Sequence, residues 1–81
     1  MSVEQKIREY ILENYLFTDD QSALKNSDSF LEKGILDSTG ILEVIYFLEE
    51  ELDVKVEDEE MIPENLDSVD NIVSFVSKKS N

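Results

Sequence analysis

An 81-residue chain has room for one domain and a small core, and at this size folding buries only about 60% of the unfolded surface. Acidic residues outnumber basic ones 20 to 7, a net charge of −13 that repels nucleic acid and anionic membranes and attracts partners with Lys/Arg patches. The absence of cysteine and histidine excludes disulfides, thiolate metal sites and the most frequent general base.

No apolar stretch approaches the ~20 residues of a membrane span, and Met1-Ser2-Val3-Glu4-Gln5 lacks the basic and apolar regions of a signal peptide. The expectation is a soluble, cytoplasmic, single domain over residues 1–81, monomeric, with neither membrane insertion nor nucleic-acid binding.

Val3, Ile7, Tyr10 and Ile11 recur at helical spacing among charged residues and predict a first helix running to about Leu16-Phe17. Ser2 is its candidate cap, with Gln5 completing a weak capping box. Residues 18–37 have little periodicity and predict a long first loop, with one turn at Ser27 to Leu31 and an interruption at Gly34. Phe30, Leu31, Ile35 and Leu36 are apolar enough to pin that loop onto a core.

The second helix is the clearest. Ile41, Val44, Ile45, Leu48 and Leu52 share one face and form the expected core stripe. Leu42 and Tyr46 fall opposite, near Thr39, Glu43 and Glu50, and suggest a contact surface. Val54-Lys55-Val56 alternates and predicts an extended segment. Asp58 to Ile62 predicts one short helix ended by Pro63. Asp67 or Ser68 caps a last helix whose core face carries Val69, Ile72, Val73 and Val76, with Phe75 on a flank and Lys78 and Lys79 at the cationic end. Three main helices and one short one predict a small all-α, four-helix bundle.

Asp37-Ser38-Thr39-Gly40, at the mouth of the second helix, carries the chemistry. Read alone, Asp37-Ser38 is an ordinary helix cap. A helix N-terminus also presents unpaired N–H groups and partial positive charge, which stabilise a phosphate esterified to Ser38. Small residues at 39 and 40 leave the hydroxyl open to a bulky enzyme. Asp19-Asp20 and Asp58-Glu59-Glu60 lack the alternating ligands and central glycine of a calcium loop, and no metal site is expected.

Gly34-Ile35-Leu36-Asp37-Ser38-Thr39-Gly40, followed by Leu42-Glu43 and the acidic stretch Glu49-Glu50-Glu51, resembles the acyl carrier and peptidyl carrier proteins. The likeness covers nearly the whole chain, including the helix order and the run Val54 to Glu60. It implies a stand-alone carrier holding an acyl or aminoacyl group as a thioester on 4′-phosphopantetheine, attached to Ser38 from coenzyme A by a phosphopantetheinyl transferase. It implies further partners, a loading ligase and downstream transferases, with basic docking surfaces. Asp37 is implied as a cofactor-binding residue beside Ser38 and as an acid facing basic partner surfaces; the matching partner-contact positions are Thr39, Leu42, Glu43, Tyr46, Glu49, Glu50 and Met61.

Gly40 stands where fatty-acid carriers usually have an acid, and Thr39 where they usually have Leu; together with Pro63 to Leu66 this favours a specialised carrier. A long acyl chain needs a cavity between the second and third helices, for which Ile45, Leu48, Met61 and Ile62 are candidate lining residues, whereas an aminoacyl group can ride outside. The competing reading is a small acidic adaptor that binds a basic partner without a prosthetic group. An enzyme is not expected, since neither His, Cys nor a suitably placed Lys is present to activate Ser38.

Overall fold

The structure, a computed structural model, describes residues 2–80. Among these, all regular structure is helical: α1 (Val3–Ile11), α2 (Ser38–Glu51), α3 (Pro63–Leu66) and α4 (Val69–Ser80), with 3-10 turns at Gln21–Ala23 and Asp58–Glu60. Sixteen apolar side chains, contributed by every helix and by the first loop, form one core cluster.

Ser2 caps α1 as expected, its hydroxyl accepting the Gln5 amide at 3.1 Å. The helix then widens into a π turn over Leu12–Leu16 and stops at Phe17, whose φ of 54° lies in the left-handed region. Helix α2 runs antiparallel to α1. Tyr10 stacks on Phe47 with ring centroids 4.3 Å apart, Lys6 and Glu9 share a groove with Glu51, and Tyr15 shares a cleft with Glu43 and Ser38. The C-terminal end of α1 therefore lies beside the N-terminal end of α2.

The long first loop is tied down by polar contacts that periodicity does not report. Arg8, buried although charged, donates to Gln21 Oε1 (3.2 Å), Gln21 O (2.6 Å) and Asn26 Oδ1 (2.6 Å). Phe30 is fully buried and plugs the loop into the core, a burial that contributes roughly 1.5–3 kcal/mol. Leu36 is buried, Ile35 is half-buried, and Leu31 turns outward.

Several expectations need correcting. Pro63 opens a helix instead of ending one. Ile62 is extended (φ −121°, ψ 152°), and the missing proline N–H is harmless in a first helical turn, where it would have no intrahelical partner. The Asp58 segment makes only a 3-10 turn, closed by a reciprocal Glu57–Glu60 capping box. On α4 it is Phe75 that is buried while Val73 is half-exposed, because the core lies nearer the Ile72–Val76 line. Ser68 alone caps α4, accepting the Asn71 amide at 3.1 Å, and Asp67 is used elsewhere. Val54 and Val56 are buried and Lys55 is exposed, the alternation of an extended segment.

Candidate functional site at the start of helix 2

Asp37 has extended backbone, and its carboxylate accepts the Gly40 amide at 2.8 Å, so Asp37 is the N-cap of α2. Its carbonyl receives the Ile41 amide at 3.0 Å. Ser38 is thus the first helical residue. It is exposed, and the cap is made without its hydroxyl. The amides of Ser38 and Thr39 belong to the opening turn, whose N–H groups have no intrahelical acceptor, so they present donors and partial positive charge beside that hydroxyl. An exposed alcohol with free donors alongside fits an esterified phosphate.

Gly40 lines the cleft beside Ser38 and is also held close to the preceding turn. It is buried, and a Cβ there would lie 3.1 Å from Leu36 Cδ2 and 3.2 Å from Leu36 Cβ. The glycine lets the Leu36-Asp37 turn close against the helix. Gly34, with φ of 70°, supplies the left-handed bend that brings the chain into that turn.

Ser38 stands on a ridge between two depressions. On the α1 side is an open, mixed-polarity cleft whose walls include Tyr15, Gly34, Thr39 and Glu43. The Tyr15 hydroxyl is buried there without a hydrogen-bond partner. Burial, with Tyr10 and Glu43 nearby, pushes this phenol above its ordinary range and keeps it protonated. On the α3 side is a mainly apolar groove of about 300 Å³ between Ser38, Leu42, Ile45, Met61, Ile62 and Leu66. Leu48, expected to line such a space, is fully buried in the core instead.

The predicted contact positions separate into groups. Leu42, 51% exposed, and Met61 meet at the apolar groove. Tyr46, 65% exposed, lies with Glu43 and Glu50 in a neighbouring depression. Thr39 is exposed beside Ser38. Glu49 stands apart: it is half-buried, and its Oε2 accepts the Val56 amide at 3.4 Å, tying α2 to the segment after it. Leu31 and Tyr15 line the site, yet the sequence had placed them only as a loop anchor and as part of a helix. Their proximity to Ser38 is a tertiary property with no local signal. Among the described residues, no group of three or more His, Cys, Asp or Glu could hold a metal ion.

No family model matches the chain. It is, however, 37% identical over 81 residues to the D-alanyl carrier protein of Streptococcus uberis, covering 100% of this chain and 99% of that protein. It is 30% identical over 79 residues to the acyl carrier protein of Bdellovibrio bacteriovorus, covering 98% and 96%. Both likenesses run through the Ser38 turn and all four helices, and the chain belongs to the acyl carrier protein family.

Proposed function

We propose that this protein carries an acyl or aminoacyl group on 4′-phosphopantetheine attached to Ser38, and passes it between partner enzymes without catalysing a reaction itself. The observation that carries the reading is the division of labour at the start of α2: Asp37 makes the cap and leaves the Ser38 hydroxyl exposed at the helix mouth. The prosthetic group supplies the thiol that holds the cargo as a thioester. The chain supplies an anchored oxygen, donors beside the phosphate, and an apolar groove next to the attachment point.

Leu42, Tyr46 and Met61 form the apolar part of the docking surface, Thr39 borders it, and Glu43 and Glu50 supply charge for the basic surfaces of a phosphopantetheinyl transferase, a loading ligase and later transferases. Asp37 orients the turn. The cytoplasm, where coenzyme A and such ligases reside, is the proposed compartment; no helix is long and apolar enough to cross a membrane.

A small cargo is favoured. The groove holds only about 300 Å³, and the fully buried Leu66 closes one side of it, so an aminoacyl group suits it better than a long chain. The relative named as a D-alanyl carrier makes D-alanine the first cargo to test.

The test is intact mass after incubation with coenzyme A and a phosphopantetheinyl transferase. Wild type gains one prosthetic group, while Ser38→Ala gains none and keeps its helical circular dichroism. A wild type that gains nothing points to the acidic adaptor instead.

A further inference from the structure

We propose that Phe17 is a recognition knob for the enzyme that modifies Ser38, its exposed ring entering an apolar, basic-rimmed pocket on the phosphopantetheinyl transferase. The inference rests on the reading of Ser38 as an attachment point.

Phe17 is 81% exposed, the most exposed large hydrophobic residue among those described. Its backbone is left-handed (φ 54°, ψ 44°), a conformation that places Cβ against the following carbonyl and costs roughly 1–2 kcal/mol for a residue other than glycine. The end of α2 shows the usual solution, with Asp53 at φ 55°, a residue type that tolerates this region. At the end of α1 the chain places an aromatic residue that is neither packed nor at ease. One exposed hydrophobe is ordinary. One held in an unfavourable backbone conformation contributes little to the isolated fold and is better explained by what it touches in a complex.

The position and surroundings of Phe17 identify the partner. It follows Tyr15 by two residues, and Tyr15 lines the same cleft as Ser38, so Phe17 stands at the end of α1 that lies nearest Ser38. Glu13 and Asp19 border the same depression as the ring, Asp20 follows, and among the described residues no basic one lines it. An aromatic in an acidic frame complements an apolar pocket rimmed by Lys or Arg. Enzymes acting on the far end of a flexible arm can stand away from this end. The transferase cannot, because its active site must reach the Ser38 oxygen itself.

The test is steady-state modification by a phosphopantetheinyl transferase with coenzyme A, varying the concentration of wild type, Phe17→Gly, Phe17→Asn and Phe17→Tyr. Glycine and asparagine suit positive φ, so both variants are expected to fold, with Phe17→Gly melting above wild type. Their kcat/KM is expected to fall about tenfold through KM, the effect of losing an aromatic anchor, while Phe17→Tyr stays within about twofold of wild type. Unchanged kcat/KM in Phe17→Gly and Phe17→Asn, or a loss confined to kcat, overturns the role of Phe17. A wild type that is never modified overturns the reading of Ser38 itself.

Discussion

The Asp67 carboxylate accepts the Leu31 amide at 3.0 Å across 36 residues of chain, and its other oxygen accepts the Ser29 hydroxyl. One side chain thereby closes the first loop onto the start of α4, next to the backbone bond from the Phe30 amide to the Asp67 carbonyl (2.7 Å). The same contact fixes Leu31 as a wall of the groove beside Ser38. Asp67→Ala removes both acceptors while Phe30 stays in the core. A loss of about 1–2 kcal/mol in urea unfolding is expected, because the Ser29 hydroxyl is left part-buried without its acceptor while the exposed Leu31 amide can turn to water. Asp67→Asn, which keeps one acceptor, should lose less. Equal stability of Asp67→Ala and wild type would remove the clamp from the account.

Glu49 and Glu50 are adjacent in sequence and alike in charge, yet their surroundings predict opposite phenotypes. Glu49→Ala breaks the contact with the Val56 amide and should lower stability by about 1 kcal/mol. Glu50→Lys changes an exposed position and should leave the melting temperature within a degree or two, while raising the transferase KM several-fold through charge reversal on the docking surface. Measuring unfolding and modification kinetics for both variants separates the roles. A shared phenotype would contradict the division.

That contrast shows what can be read from local pattern and what cannot. The core stripe through Val44, Ile45 and Leu48 follows from helical periodicity, and so does the position of Ser38 at the head of α2, because both depend on residues within a few turns of each other. The burial of Arg8 has no local signal, because its partners, Gln21 and Asn26, lie 13 and 18 residues away on a loop without periodicity. Pro63 read as a stop because the same ring that breaks a helix interior also suits a helix start, and only the extended conformation of Ile62 decides between them. The unpartnered Tyr15 hydroxyl and the outward turn of Leu31 arise from tertiary closure of the first loop.

Gly40 tests the turn beneath Ser38. In an open helix, replacing glycine would stabilise by up to about 1 kcal/mol. Here a Cβ meets Leu36 at 3.1–3.2 Å, and Leu36 is itself buried. Gly40→Glu, which installs the acid expected of fatty-acid carriers, would also press a charged side chain into this contact. Its expected outcome is a net loss of about 1–3 kcal/mol, together with slower modification of Ser38 as the Leu36-Asp37 turn is pushed outward. Thermal unfolding that matches or exceeds wild type would mean that Leu36 yields and the turn tolerates the side chain.

Glu60 links the turn before α3 to the end of α4 and makes one part of the stability dependent on pH. Its carboxylate accepts the Lys79 ammonium at 2.9 Å and the Glu57 amide at 2.9 Å. The hydrogen bond from Lys79, followed by that from Glu57, holds its pKa below the ordinary glutamate value of 4.5. A folded-state pKa below the unfolded one means that the unfolded chain binds the proton more readily. The stabilisation is therefore complete above the ordinary glutamate range and is lost as pH falls through the depressed value. The absolute acid limb is a poor probe, since protonating the many other carboxylates also relieves the repulsion of a chain carrying −13. The difference between wild type and Glu60→Gln isolates the charge, because glutamine still offers an oxygen to the Glu57 amide. That difference in melting temperature should be constant near neutral pH and shrink towards zero below about pH 4. A gap that stays the same from neutral to acid pH would show that the Lys79 contact contributes no charge-dependent stability.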